Sequence, residues 1–100
     1  MIEKDKTILD LIERLKLIIN FKDLEIVNYW DADLCAIGFR KNNKLIYIST
    51  YNFVVSKIVK YDFDLELMDI LDKTNFKVLK EGRGVSEPTL INELKKFLEV

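Results

Sequence analysis

Three carboxylates alternate with apolar side chains in residues 61–68, at Asp62, Asp64 and Glu66. Residues two apart in a strand point to the same side of the sheet and lie about 7 Å apart, so we expect a row of carboxylates on one face. That spacing is close to the roughly 6–7 Å between successive phosphates of an extended single strand. The row could therefore imitate nucleic acid in front of a basic nuclease cleft, or it could be an ordinary solvated sheet face.

A second acidic pair, Asp31 and Asp33, follows Trp30. These carboxylates could chelate Mg²⁺ or Ca²⁺, but such cations need about six oxygens and Asp is also a common turn residue. Trp30 is either an interface anchor or a residue that closes the end of the core. The candidate partner-binding residues are Trp30, Asp31, Asp33, Tyr47, Tyr51, Asp62, Asp64 and Glu66.

The residues that most catalytic and metal centres require are missing. The chain has no histidine, which is the commonest general base and transition-metal ligand. Its single cysteine, Cys35, has neither a histidine to activate it nor a second thiol, so a small core residue is the favoured interpretation. The segment 82–84 (GRG) matches no phosphate-binding loop. We therefore expect no enzyme, no catalytic residue, no metal and no cofactor.

Charge is sorted along the chain although the net charge is only −1. Residues 23–39 contain four acids and no base, residues 40–60 five bases and no acid, and residues 61–72 five acids and no base. Such blocks either pair across neighbouring strands or leave a face of one sign that steers a charged partner. The balance argues against direct nucleic-acid binding, which requires an excess of Lys and Arg.

Helices are predicted at both ends of the chain. Between Thr7 and Asn20, apolar residues recur every three or four positions, with Asp5 as the expected cap. Near the other end, Ser86 is followed by Glu87 and Pro88, a pattern typical of a helix start. Each helix has one apolar stripe, so each must pack on something apolar.

A sheet is the expected support for both helices. Residues 24–30, 34–41 and 44–51 are rich in β-branched and aromatic residues, and Asn42-Asn43 predicts a two-residue hairpin turn. The turn fixes a register that pairs 41 with 44, 39 with 46, 37 with 48 and 35 with 50. One face then holds Cys35, Ile37, Phe39, Ile46 and Ile48, and the other holds Ala36, Gly38, Arg40, Tyr47, Ser49 and Tyr51, with Tyr47 over Gly38.

Two further strands are predicted at residues 61–68 and 76–81, the second ending at the glycines of 82–84. Residues 53–60 suit a helix by spacing and a strand by composition, and both interpretations remain open. The fold class is α+β, with an antiparallel sheet of four to five strands and amphipathic helices at the N- and C-termini. Residues 1–100 form a single domain.

The cytoplasm is the expected location. No apolar run is as long as a membrane span, the N-terminus is too polar for a secretory signal, and a single cysteine fits a reducing compartment. We expect no membrane partner.

Several stretches together resemble small bacterial immunity proteins, in particular those of contact-dependent growth inhibition systems. They are the N-terminal amphipathic helix, residues 36–39 (AIGF), 44–51 (KLIYISTY) and 61–67 (YDFDLEL), and Val85-Ser86 leading into the closing helix. The resemblance implies a non-enzymatic protein that binds the toxin domain of its cognate effector, often a tRNA or DNA nuclease, and blocks its active site. It implies no particular binding residue, because these proteins are diverse in fold.

The leading hypothesis is an immunity protein that binds one basic nuclease toxin domain, such as a tRNase, as a monomer and occludes its active site. The contacts would come from the acidic strand and the loop at Trp30, Asp31 and Asp33. One alternative is a self-associating structural or adaptor subunit that pairs through Tyr47, Tyr51 and the uncovered sheet face. Another is a metal-dependent hydrolase that uses Asp31 or Asp33.

Overall fold

Two helices stand at the ends of the chain, each started by a side-chain cap. The computed structural model describes residues 3–28, 32–72 and 74–100. Helix α1 is Lys6–Lys16, and the carboxylate of Asp5 accepts a hydrogen bond from the backbone N–H of Thr7, as expected for this cap. Helix α2 is Glu87–Leu98, with Ser86 as the predicted cap. Among the described residues, no helix has the length and apolarity needed to cross a membrane.

Five antiparallel strands form one sheet in the order of the chain. They are β1 (Glu25–Val27), β2 (Ala36–Lys41), β3 (Lys44–Ser49), β4 (Tyr61–Met68) and β5 (Phe76–Val85). The β2–β3 register is the predicted one, from Lys41 opposite Lys44 to Ile37 opposite Ile48. Asn42 supplies the positive φ of 58° that the two-residue turn requires. The predicted fold class is confirmed.

The core lies between one face of the sheet and both helices, and we call this face the helix-covered face. Ile37, Phe39, Ile46 and Ile48 are fully buried there, as predicted. They form a single cluster with Tyr61, Phe63 and Leu65 of β4 and with the apolar stripes of the helices. The helix residues of this cluster are Ile8, Leu11, Ile12 and Leu15 of α1 and Leu90, Leu94 and Leu98 of α2.

The last strand is longer than predicted, because the glycines of residues 82–84 continue β5 instead of ending it. Gly82 lies opposite Phe63, and a β-carbon at Gly82 would be only 2.0 Å from the Phe63 ring. The glycine therefore leaves the space that this core aromatic ring occupies. The pairing of β5 with β4 is irregular at two points, between Tyr61 and Phe63 and between Leu65 and Glu66.

Three other sequence predictions are corrected. Helix α1 ends at Lys16, and Asn20 instead caps a short 3₁₀ turn at Phe21–Asp23. The first strand is limited to Glu25–Val27 within the described part of the predicted segment 24–30. Residues 53–60 form neither a helix nor a strand, since a 3₁₀ turn at Tyr51–Phe53 leads into turns and bends before β4.

Candidate partner-binding face

The face opposite the core carries neither α1 nor α2, and we call it the helix-free face. Strand pairing sets its side chains in rows across the sheet. One row is Val27, Gly38, Tyr47, Asp64 and Glu81, and the next is Glu25, Arg40, Leu45, Glu66 and Val78. The predicted alternation of β4 therefore holds, since Asp64 and Glu66 lie on the side away from Phe63 and Leu65.

Asp62 belongs to the same alternation but is a structural residue. It is only 9% exposed, and both of its carboxylate oxygens are occupied. Oδ1 accepts a hydrogen bond of 2.8 Å from the backbone N–H of Gly84, and Oδ2 accepts one of 2.9 Å from the side chain of Asn52. The expectation that Asp62 presents a free charge to a partner is wrong, because this carboxylate ties the 3₁₀ turn and β5 to β4.

Asp64 lies beneath Arg83. Its side chain is mostly buried, and Oδ1 lies 3.1 Å from Nη2 of Arg83 without the alignment of a hydrogen bond. Nη2 is also 3.6 Å from a carboxylate oxygen of Glu81, while Nη1 donates to the carbonyl oxygens of Phe63 and Gly82. Arg83 thus bridges two carboxylates from the edge of the sheet and remains half exposed.

Glu66 is the least compensated carboxylate of the β4 row. Burial raises its pKa, and the negative charge of Asp64 raises it further. Glu66 makes no hydrogen bond or ion pair with the rest of the described chain, and it sits between Leu45 and Val78 in its row. A cation from outside would relieve this unfavourable placement.

Tyr47 lies at the centre of the helix-free face, opposite Gly38 as the hairpin register predicted. Asp64 of β4 lies opposite it on the other side. Burial raises the pKa of its hydroxyl, and the charges of Asp33, Asp64 and Asp62 act in the same direction. Tyr51 is not beside it on a strand. It begins the 3₁₀ turn after β3 and is exposed, so the predicted pair of strand tyrosines is corrected.

The predicted loop site can be checked only at Asp33, because Trp30 and Asp31 lie outside the described residues. Asp33 Oδ1 accepts a hydrogen bond from the backbone N–H of Cys35, and its carbonyl oxygen accepts one from Nζ of buried Lys4. These are turn-forming contacts. Burial and the nearby charges of Asp5 and Asp33 raise the pKa of the Cys35 thiol, which is the opposite of activation.

Negative charge dominates the helix-free face. Glu25 pairs with Arg40, and Arg83 is shared between Asp64 and Glu81. Apart from the buried and hydrogen-bonded Asp62, the carboxylates that these rows bring to the face are Glu25, Asp64, Glu66 and Glu81, against the guanidinium groups of Arg40 and Arg83. A surface with this balance favours a basic partner.

Glu81 was predicted as the last residue of the strand 76–81 but not as a site residue, and Arg83 was expected in a break between two glycines. The alternation of charges at Lys80, Glu81 and Arg83 was the signal that these residues continue a solvent-exposed edge strand. Glu81 on β5 widens the acidic row from one strand to two, and Arg83 neutralises part of its charge.

In the described ranges, no three metal-ligating side chains come together as a metal site would require. Comparisons with protein families, with curated proteins and with solved structures find no match to this chain.

Proposed function

We propose that this chain is an immunity protein that neutralises a cognate nuclease toxin domain, such as a tRNase, by covering its active site. It acts in the cytoplasm as a monomer that binds one toxin domain, without catalysis of its own. The observation that carries the proposal is the excess of carboxylates on the helix-free face, around Tyr47, Asp64, Glu66 and Glu81.

The physical support comes from what a nuclease cleft contains. Such a cleft holds basic side chains that neutralise phosphates, so it attracts an acidic protein surface as it attracts nucleic acid. Glu66 carries a charge that its own protein stabilises poorly, since burial and Asp64 both raise its pKa. A basic side chain of the toxin that paired with Glu66 would stabilise its charge in the complex alone. That difference in free energy favours the complex over the free protein.

The experiment uses the protein encoded by the reading frame upstream of this chain, where the proposal expects a toxin domain. We expect purified protein to bind that domain and to stop its cleavage of tRNA. The double variant Glu66→Lys and Glu81→Lys should slow association by at least about tenfold at low salt, because charge steering changes association rates by roughly 10- to 1,000-fold. Stopped-flow fluorescence at two salt concentrations measures this rate.

Asp10→Lys and Glu13→Lys form the matched control, because they make the same change in net charge on α1, across the sheet from the proposed surface. Their exposed ion pairs with Lys6 and Lys16 contribute little to stability. Equal slowing by the two double variants would remove the helix-free face from the proposal. A wild-type protein that neither binds nor inhibits the upstream domain would contradict the function itself.

The alternative, a self-associating subunit, is favoured by one observation. Strand β5 is an edge strand of ten residues, with Val78 and Leu79 about half exposed. However, its irregular pairing and its charges at Lys77, Lys80, Glu81 and Arg83 are features that protect edges from further pairing. Analytical ultracentrifugation separates the two functions, since a stable dimer of the isolated protein would support the alternative.

A further inference from the structure

Arg83 of the edge strand places a guanidinium group over the acidic row. Gly82 lies against the Phe63 ring, so the residues on either side of it, Glu81 and Arg83, point to the helix-free side. The side chain of Arg83 is 54% exposed. Arg83 therefore lies on the surface that the proposed function assigns to a basic partner, although it carries the same sign of charge as that partner.

A β-bulge gives Arg83 this direction. Between two aligned pairs of the β4–β5 ladder, β5 has two residues, Arg83 and Gly84, where β4 has only Asp62. Such a bulge redirects a side chain, and here Nη1 of Arg83 donates back to the carbonyl oxygen of Phe63. Gly84 has a positive φ of 59°, and its N–H donates to the carboxylate of Asp62. Asp62 therefore holds the bulge, and the bulge holds Arg83 over β4.

Two carboxylates require a cation at this position. Asp64 and Glu81 are directly opposite each other in the β4–β5 pairing, and like charges in that arrangement destabilise a sheet. Nη2 of Arg83 lies 3.1 Å from Oδ1 of Asp64 and 3.6 Å from Oε1 of Glu81, so it reduces the repulsion between them. The other guanidinium of the face belongs to an ordinary cross-strand pair, in which Arg40 lies directly opposite Glu25.

The contacts of Arg83 are those of a cation that another cation can displace. Oδ1 of Asp64 is enclosed but accepts no hydrogen bond among the described residues, because Nη2 is close to it without being aligned. An ion pair made by a half-exposed side chain is weak. A basic side chain of a partner can form aligned, charge-assisted hydrogen bonds to the same carboxylate in an interface that excludes water. The exchange of the two cations therefore favours the complex.

We infer that Arg83 is an internal counter-ion that an arginine of the partner displaces. In the free protein Arg83 holds the place over Asp64 and Glu81, and in the complex it turns out to solvent while the partner's guanidinium takes that place. The occupant is a guanidinium because the place already holds one, with both Nη atoms in use. A weakly basic partner cannot displace Arg83, so this residue adds selectivity. The partner in this exchange rests on the proposed function.

The first test needs no toxin. It compares the wild type with Arg83→Met, which removes the guanidinium, and it uses L-argininamide as the guanidinium probe. NMR titration should show saturable shifts at the backbone amides of Asp64 and Glu81. We expect the variant to bind the probe with a dissociation constant at least about threefold lower than that of the wild type, a factor that corresponds to one exposed ion pair. L-Norleucinamide, which lacks the guanidinium, should show no such gain.

Arg40→Met is the matched control, because it removes a guanidinium from the same face but leaves Arg83 over its two carboxylates. It should leave the affinity for the probe at Asp64 and Glu81 nearly unchanged. Arg83→Lys restores a cation and should return the dissociation constant toward that of the wild type. Both Met variants should keep the thermal midpoint within about 5 °C of the wild type. Equal gains in the two Met variants, or no gain in Arg83→Met, would overturn the internal counter-ion.

The second test uses the protein encoded by the upstream reading frame. Arg83→Met should dissociate from it about two- to fivefold more slowly than the wild type, because no internal cation competes for the carboxylates. Arg40→Met should change the association rate alone. Faster dissociation of Arg83→Met would mean that Arg83 itself contacts the partner, and the displacement would be wrong. If the wild type does not bind this protein while the gain for L-argininamide is present, the toxin partner fails and the counter-ion stands.

Discussion

The two faces of the sheet use their carboxylates in opposite ways. On the helix-covered side, Glu87 of α2 accepts hydrogen bonds from Nε and Nη2 of Arg14 and from the hydroxyl of Tyr61, the shortest at 2.7 Å. Burial alone would raise the pKa of Glu87, but these partners more than offset it and lower the pKa. On the helix-free side, Glu66 has no such partner among the residues that the structure describes, and its pKa is raised.

This difference distinguishes a carboxylate that stabilises the fold, Glu87, from one that remains available to a partner, Glu66. The Arg14–Glu87–Tyr61 cluster joins α1, α2 and β4, and burial raises the pKa of Tyr61 to about 12, so its hydroxyl stays a donor. The raised pKa of Glu66 means that its ionised form opposes folding in the free protein. Proteins commonly retain such unfavourable groups where binding requires them.

The largest expected effect concerns the core of the helix-covered side. Replacing Leu94 of α2 with Ala should lower the free energy of unfolding by about 2–5 kcal/mol, because it leaves a cavity at a fully buried position. A smaller truncation on the helix-free side, Val78→Ala at 46% exposure, should cost less than about 1 kcal/mol. Urea unfolding measures both. Similar losses would mean that Val78 is packed as tightly as Leu94.

A smaller effect is expected at Asp62, which lies on the helix-free side but stabilises the fold. Asp62→Ala should lower the free energy of unfolding by about 1–3 kcal/mol, because it leaves the N–H of Gly84 without its acceptor. Asp62→Asn keeps an oxygen for Gly84, and the amide of Asn52 can rotate to match it, so this variant should lose less than half as much. Equal losses would show that the charge of Asp62 matters more than its hydrogen bonds.

Local pattern was sufficient to predict the central hairpin and the alternation of β4. A two-residue turn at Asn42 and Asn43 allows few registers, and only one of them places Phe39 and Ile46 together on the core face. Asp62, Asp64 and Glu66 could be assigned to one side of β4 for the same reason. These predictions depend only on residues that are close together in the chain, so they could be made from the sequence.

The different surroundings of Asp62, Asp64 and Glu66 could not be predicted, because residues that are distant in the chain form them. Asp62 accepts hydrogen bonds from Asn52, which lies in the 3₁₀ turn, and from Gly84, which lies in β5. Asp64 is paired by Arg83, whose strand was expected to end at Gly82. That glycine is explained by the Phe63 ring against it, a contact between strands that no local pattern indicates.

The smallest and most specific effect is a difference of sign between Glu87→Gln and Glu66→Gln at neutral pH. The lowered pKa of Glu87 means that its ionised form stabilises the fold above the unfolded-state pKa of about 4.3, and that this contribution is lost as the pH falls through the folded-state pKa. The raised pKa of Glu66 means that its ionised form opposes folding in the same upper range. At pH 7, Glu87→Gln should therefore destabilise the protein by about 1 kcal/mol, since Glu87 is a charge-assisted partner whose side chain is 27% exposed.

Glu66→Gln should instead stabilise it at pH 7, by at most about 1 kcal/mol, the range for one unfavourable neighbouring charge. Both differences from the wild type should shrink toward zero as the carboxyl groups become protonated in acid. Urea unfolding at pH 7 and at pH 3 measures the four values. If Glu66→Gln destabilised the protein at pH 7, then Glu66 would contribute to folding as Glu87 does. The argument that Glu66 is available to pair with a partner would then fail.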